Sequence, residues 1–222
     1  MAKDSENIYE QEGDISGIGK LTQFFTPELV ADKMLALAQH YGFKGGNVLE
    51  PSAGNGRLIN RLKDCNITAF EIDTRNFDAL KKGFPNAKLY NEYFETAFLL
   101  EPRFNRLIDN NGTKTWLKDA PFDLVISNPP YGKFNGKYFA PFIGLKFYSK
   151  EQLFIKQSMK LVKKDGLGVF LLPSSFLRNG NTYNQFKQGL FQECKLVDAY
   201  RMPNNIFKDT SYATDIVVLQ KK

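Results

Sequence analysis

The chain has 222 residues, 42% hydrophobic and 24% charged. That is globular composition, and it excludes a disordered chain, a collagen-like repeat and a disulfide-stapled miniprotein. The net charge of +6 is compatible with a polyanionic partner without requiring one, and the two cysteines match no metal-ligand spacing. No apolar run approaches the roughly 20 residues of a membrane span. The polar, acidic start Met1–Gly13 is neither a signal nor a transit peptide, so a cytoplasmic protein with no membrane association and no metal is expected.

Residues 1–20 carry little periodicity and are predicted to be a flexible N-terminal arm. From Thr26 the pattern changes. Thr26 is expected to cap a helix with Pro27 at its first position, and Leu29, Val30, Met34, Leu37 and Ala38 form an apolar stripe that ends near Tyr41-Gly42. Asn47–Glu50 reads as a buried strand running into a Gly-rich turn. A helix is predicted over Leu58–Lys63, a strand over Ile67–Ile72, a helix over Asn76–Lys82 and a short strand over Lys88–Tyr90. Residues 95–120 read as an insertion. Asp123–Ser127 is a clear strand, Lys150–Lys164 an amphipathic helix, Leu167–Leu172 a strand and Asn184–Gln192 a helix. Lys195–Tyr200 and Thr214–Leu219 complete about seven strands. This alternation predicts an α/β fold with a mostly parallel sheet covered by helices on both faces, as a single domain over residues 21–222.

Three motifs carry chemistry. In Glu50-Pro51-Ser52-Ala53-Gly54-Asn55-Gly56 a strand ends in a turn whose glycines let the backbone approach a ligand. Ligands sit at such strand ends in doubly wound sheets. The third glycine of the dinucleotide fingerprint is missing, which argues against a dinucleotide; a purely structural turn is the alternative. Glu71-Ile72-Asp73 follows about 20 residues later, where an acid can bond ribose hydroxyls in this fold type or simply cap the next helix. Asn128-Pro129-Pro130-Tyr131 follows the apolar strand directly. Two prolines lock the backbone and remove two donors, leaving the Asn128 amide oxygen and the Pro129 carbonyl as a rigid acceptor pair. Such a pair suits an –NH2 group whose lone pair is delocalised into a ring, and Tyr131 offers a face for a planar base. The interleaved run Lys133-Phe134-Asn135-Gly136-Lys137-Tyr138-Phe139 suits base stacking beside phosphate, or a loop anchored by its own aromatics. Lys133, Lys137 and Arg178 read as phosphate contacts or as solvated surface charge.

These motifs together resemble the amino-methyltransferases that use S-adenosylmethionine, specifically the γ-class adenine-N6 DNA methyltransferases. That family includes Type I modification subunits and single-chain Type II enzymes. The resemblance runs from about Gln23 to Gln220. Phe24-Phe25-Thr26-Pro27 matches the segment that touches the cofactor, Leu49–Gly56 the cofactor turn, and Glu71 with Asp73 the ribose acids. Asn91-Glu92-Tyr93-Phe94 matches a segment whose acid meets the cofactor's adenine, with the longer Glu92 in place of the usual Asp. Asn128–Tyr131 matches the catalytic motif. Phe207 matches the aromatic that packs with Tyr131 on a flipped target base; a buried hairpin aromatic is the alternative.

The resemblance implies a Rossmann-like class I methyltransferase fold, S-adenosylmethionine as cofactor, and cofactor contacts from Phe25, Thr26, Pro27, Glu50, Pro51, Ser52, Ala53, Gly54, Gly56, Glu71, Ile72, Asp73, Glu92, Tyr93 and Asn128. It implies methylation of adenine extracted from DNA. The family's separate target-recognition domain is not expected in this chain, which leaves three readings: a minimal enzyme of low sequence specificity, an enzyme with DNA and a separate specificity subunit or target-recognition protein as partners, or the catalytic fragment of a longer protein. Two alternatives remain: methylation of an RNA base or a protein glutamine, and a non-catalytic cofactor- or DNA-binding subunit.

Overall fold

The structure, a computed structural model, describes residues 25–94, 119–132, 149–203, 206–207 and 213–222. The predicted arm, most of the predicted insertion and the Lys133–Phe139 run lie outside the described residues.

Its elements in chain order are α1 (Glu28–His40), β1 (Asn47–Glu50), β2 (Asn66–Phe70), α2 (Thr74–Gly83), β3 (Lys88–Tyr90) and β4 (Phe122–Ser127). Then follow α3 (Lys150–Leu161), β5 (Val162–Pro173), α4 (Asn181–Glu193), β6 (Cys194–Arg201) and β7 (Thr214–Lys221). The strands form one seven-stranded sheet in the order β3-β2-β1-β4-β5-β7-β6. All pairings from β3 to β5 are parallel, and β7 is antiparallel to both β5 and β6. The expected α/β fold is the one observed. Chain order reverses between β1 and β4, which makes their carboxyl ends the natural crevice of the sheet.

The central strands are buried on both faces, which is why they read as continuous apolar runs. Alternate residues feed two cores. Val48, Leu124, Ile126 and Val169 pack in the cluster that holds Met34 and Ala38 of α1. Leu49, Val125 and Phe170 pack in the cluster that holds Leu153 and Met159 of α3 and Leu190 of α4. Among the described residues no helix is long and apolar enough to cross a membrane.

Three expectations are corrected. Pro27, not Thr26, is the N-cap of α1: its ψ of 150° is extended, and its carbonyl accepts from Val30 N and Ala31 N at 3.0 Å. The helix predicted over Leu58–Lys63 is only a 3-10 turn, Ile59–Arg61, because the chain must turn at once into β2; Cys65 N already bonds the Leu62 carbonyl at 2.9 Å. The helix predicted to Lys164 stops at Leu161, and β5 starts at Val162. The pairing of β4 with β5 shifts register between Phe122 and Leu124, and Asp165, at φ 63°, takes up the irregularity. An apolar-periodicity reading cannot see a strand whose second to fourth residues, Lys163 to Asp165, are exposed and charged.

Candidate active site

The turn after β1 folds back on β2: Ala53 N donates to the Phe70 carbonyl and Gly56 N to the Ala53 carbonyl, both at 2.9 Å. Gly54 and Gly56 adopt φ values of +55° and +81°, a region that L side chains rarely enter. Their reasons differ. A Cβ on Gly56 would lie 2.6 Å from Leu80 Cδ2 of α2, so this glycine lets the turn pack on the helix. A Cβ on Gly54 would lie 3.2 Å from the Phe25 ring. Gly54 therefore lets the segment before α1 close over the turn.

Between them lies a cleft lined by Phe25, Thr26, Ser52, Ala53, Gly54 and Asn128, with Asn55, Arg57 and Leu58. Six residues nominated by the sequence thus meet in one place, drawn from three separate segments. Arg57 was not nominated. Its Nη1 donates to the Thr26 carbonyl at 3.2 Å and its Nε pairs with Glu28 Oε1 at 3.0 Å, which ties the start of α1 to the turn. Only its position directly after Gly56 could have flagged it.

The acids nominated by the sequence divide their work. Glu71 is buried, and its Oε2 accepts from Gly54 N at 2.6 Å while Oε1 accepts from Asp73 N at 2.7 Å. Burial pushes its carboxyl up to about 7. Asp73 caps α2 by accepting from Arg75 N and Asn76 N at 2.9 and 3.3 Å. The helix-cap alternative therefore describes Asp73, and Glu71 is the acid joined to the glycine turn. Ile72 is half-buried, and its carbonyl accepts from Asn91 Nδ2 at 3.2 Å, as the Glu71 carbonyl does at 2.9 Å. Glu92 is buried and Tyr93 exposed, both just beyond the carboxyl end of β3.

Glu50, the last residue of β1, is fully buried. Its Oε1 accepts from Ser52 N at 3.0 Å and from Ser52 Oγ at 3.3 Å, while Oε2 is buried without a partner among the described residues. Desolvation pushes this carboxyl up to about 8.

The Asn128–Tyr131 segment leaves β4 beside this turn. Pro51 and Pro129 are buried, Pro27 and Pro130 half-buried. The Tyr131 hydroxyl lies 2.9 Å from Asn128 Oδ1 and 3.0 Å from the Leu171 carbonyl. Burial and the nearby Glu151 carboxylate raise the Tyr131 phenol well above its ordinary value, so it is a hydrogen-bond donor at all working pH. Next in sequence, Gly132 N donates to Glu151 Oε2 at 3.3 Å and Lys150 N donates to the Gly132 carbonyl at 2.9 Å. The Tyr183 hydroxyl of α4 donates to the other oxygen of Glu151. Nothing in the sequence pattern separates Glu151 or Tyr183 from ordinary helix residues.

Phe207 is buried, in the cluster that also holds Met34, Met202 and Ile216. No group of three metal-ligating side chains occurs among the described residues.

Comparison with known proteins agrees with this geometry. The family model described as Eco57I restriction-modification methylase matches residues 36–207. The chain is 25% identical over 221 residues to "Defense against restriction protein B" of Escherichia phage P1, covering 96% of this chain and 9% of that protein. It is 28% identical over 189 residues to the Type II methyltransferase M.AccI of Acinetobacter calcoaceticus, covering 78% and 32%. The methyltransferase subunit of a type I restriction-modification system from Streptococcus thermophilus has the same fold, with a TM-score of 0.67 at 23% identity over 90% of this chain and 45% of that one. The chain thus spans less than half the length of these relatives. With more than half of its residues matched by that model, the chain belongs to the Eco57I restriction-modification methylase family.

Proposed function

We propose that this domain is an S-adenosylmethionine-dependent methyltransferase that modifies the N6 amine of adenine in DNA. One observation carries the proposal: Asn128, first residue of the acceptor-rich loop, lines the same cleft as the glycine turn and the Phe25-Thr26 segment. The residue that would hold the methyl acceptor and those that would hold the methyl donor are therefore neighbours.

The cleft fits the cofactor by its donor set. Gly54 keeps the turn free of a Cβ where the Phe25 ring closes in, and Thr26 stands on its wall. Glu71 offers a carboxylate at the next strand end, suited to ribose hydroxyls. These residues, with Ala53 and Glu92, would hold the cofactor, which when bound supplies an electrophilic methyl group.

The remaining work falls to the chain. Asn128 Oδ1 and the Pro129 carbonyl accept the two hydrogens of the amine, which favours a pyramidal nitrogen with a localised lone pair. Because the prolines fix the backbone, this acceptor pair is pre-organised, and the gain is that of orientation. Adenine must leave the duplex stack to reach it. Tyr131 supplies a stacking face; Phe207 would have to leave its cluster to supply the second. The proposed partner is DNA. A separate sequence-reading subunit is the proposed source of site choice, since the Streptococcus relative is itself one subunit of a type I system.

The test is transfer of a labelled methyl group from S-adenosylmethionine to unmethylated DNA, with RNA and a release factor in parallel and Asn128→Ala as control. Label recovered as N6-methyladenine and lost in the variant supports the proposal; label in RNA or protein alone refutes it.

A further inference from the structure

The crevice between β1 and β4 is crossed by a hydrogen-bonded tie that neither motif predicts by itself. Ser52 Oγ, in the glycine turn, lies 2.8 Å from Ser127 Oγ, the last residue of β4, and 3.1 Å from the main-chain carbonyl of Asn128. Its other neighbour is Glu50 Oε1 at 3.3 Å. One hydroxyl proton cannot serve two acceptors at once. Glu50 Oε1 already accepts from Ser52 N at 3.0 Å. Either serine can donate across the 2.8 Å contact; with Ser127 donating to Ser52, the Ser52 proton is free for the Asn128 carbonyl.

That carbonyl is a sensitive place to hold. It shares a peptide plane with Pro129 N, and the prolines that follow leave the segment little freedom to turn. Pinning the carbonyl therefore fixes the plane from which the Asn128 side chain projects. The anchor is itself rigid: Ser127 is buried at the end of a central strand, and Glu50 is fully buried beneath the turn. At the far end, Gly132 is held by Glu151 and Lys150. The segment is thus fastened on both sides, with the Ser52 fastening in direct contact with the cofactor turn.

We propose that the Ser52 hydroxyl, with Ser127 behind it, is a positioning residue that locks the cofactor turn to the catalytic loop and sets the aim of the Asn128 amide oxygen. This rests on the methyltransferase reading above and adds to it a coupling between its two halves. A misplacement of the order of 1 Å costs about 100-fold in rate when orientation carries the catalysis.

The experiment compares wild type, Ser52→Ala, Ser127→Ala and the double variant. Cofactor affinity is read by calorimetry and methyl transfer to adenine DNA by single-turnover kinetics at saturating cofactor and DNA. The expected result is a rate lower by about 10- to 100-fold in each single variant, cofactor Kd within about threefold of wild type, and a double variant no slower than the slower single. Thermal unfolding confirms that the variants are folded, and Ser52→Thr, which keeps the hydroxyl, is expected to recover most of the rate. Variants that transfer methyl within twofold of wild type overturn the inference. So does a loss confined to cofactor Kd, which would make Ser52 a ligand contact only. A wild-type chain that methylates no DNA overturns the functional reading and this inference together.

Discussion

Replacing Glu50 by glutamine is expected to give a stability difference between the two proteins that changes sign between about pH 5 and pH 8. Glu50 is fully buried, and desolvation raises its carboxyl from 4.5 to about 8. Its folded form therefore keeps a proton that the unfolded chain loses above pH 4.5. Between those values the native state binds one proton more, so wild-type stability falls as pH rises, by about 1.4 kcal/mol per unit. The whole displacement amounts to on the order of 5 kcal/mol, against about 5–15 kcal/mol for a typical domain. Glutamine cannot ionise. It can still accept from Ser52 N through its amide oxygen, but its NH2 then lies where Oε2 is buried without a partner among the described residues. The protonated wild-type carboxyl already places one O–H there; the amide places two N–H donors, and the extra unmet donor costs roughly 1–3 kcal/mol, so Glu50→Gln starts less stable at pH 5. The two curves should cross near about pH 6, and the variant should lead clearly at pH 8. Glu71 titrates in both proteins and largely cancels in the difference. The assay is urea unfolding followed by far-ultraviolet circular dichroism at unit pH steps from 5 to 8. A difference that stays constant within about 0.5 kcal/mol over that range would show that Glu50 is ionised in the fold and refute the reasoning.

Asn128→Ala is expected to lower methyl transfer by at least about 100-fold while cofactor affinity, measured by calorimetry, changes by less than threefold, because the side chain acts on the amine. Gly56→Ala brings a Cβ to 2.6 Å from Leu80 and 2.8 Å from Phe84 at φ +81°. Strain and overpacking together should remove about 2–4 kcal/mol, read as a fall in the urea midpoint. Phe207→Ala should cost about 3 kcal/mol through the cavity left in its core cluster, measured by thermal unfolding. An unchanged melting temperature together with lost activity would instead identify Phe207 as a surface for the extruded base.

How far the sequence reads depends on the range of the physics behind each feature. The central strands were legible because burial on both faces imposes unbroken apolar runs such as Leu124-Val125-Ile126, and the mostly parallel sheet follows from the strand and helix alternation. The cleft residues Ser52, Gly54 and Asn128 were legible because turn and acceptor chemistry is local. Element ends set by long-range packing were not. Thr26 has the side chain of a cap, yet it is buried at the cleft while Pro27 starts the helix. Lys163 and Lys164 read as the end of a helix and lie near the exposed start of a strand. Glu71 and Asp73 are acids two residues apart in similar company, and only the position of Gly54 N separates the one that holds the turn from the one that caps α2. Arg57, Ser127, Glu151 and Tyr183 were missed for the same reason: each acts through a partner at least 19 residues away in sequence.

The Tyr131 hydroxyl shows how such a site can be both fastened and ready. The acceptor that the amine needs, Asn128 Oδ1, already faces that hydroxyl at 2.9 Å, and the hydroxyl also faces the Leu171 carbonyl at 3.0 Å. One proton has two acceptors of nearly equal reach. If an incoming amine takes Asn128 Oδ1, the tyrosine keeps a hydrogen bond to Leu171, a backbone group of β5 that cannot move away. The exchange therefore leaves no buried donor unmet, and its cost stays below the roughly 1–3 kcal/mol that an orphaned hydroxyl would impose. Glu71 offers no such second acceptor: both of its oxygens hold backbone N–H groups of the turn and of α2's approach. A ribose hydroxyl there must share those oxygens, which keeps Gly54 and its carboxylate together while the ligand binds. The catalytic end of the cleft is thus built to exchange a partner, and the cofactor end to add one.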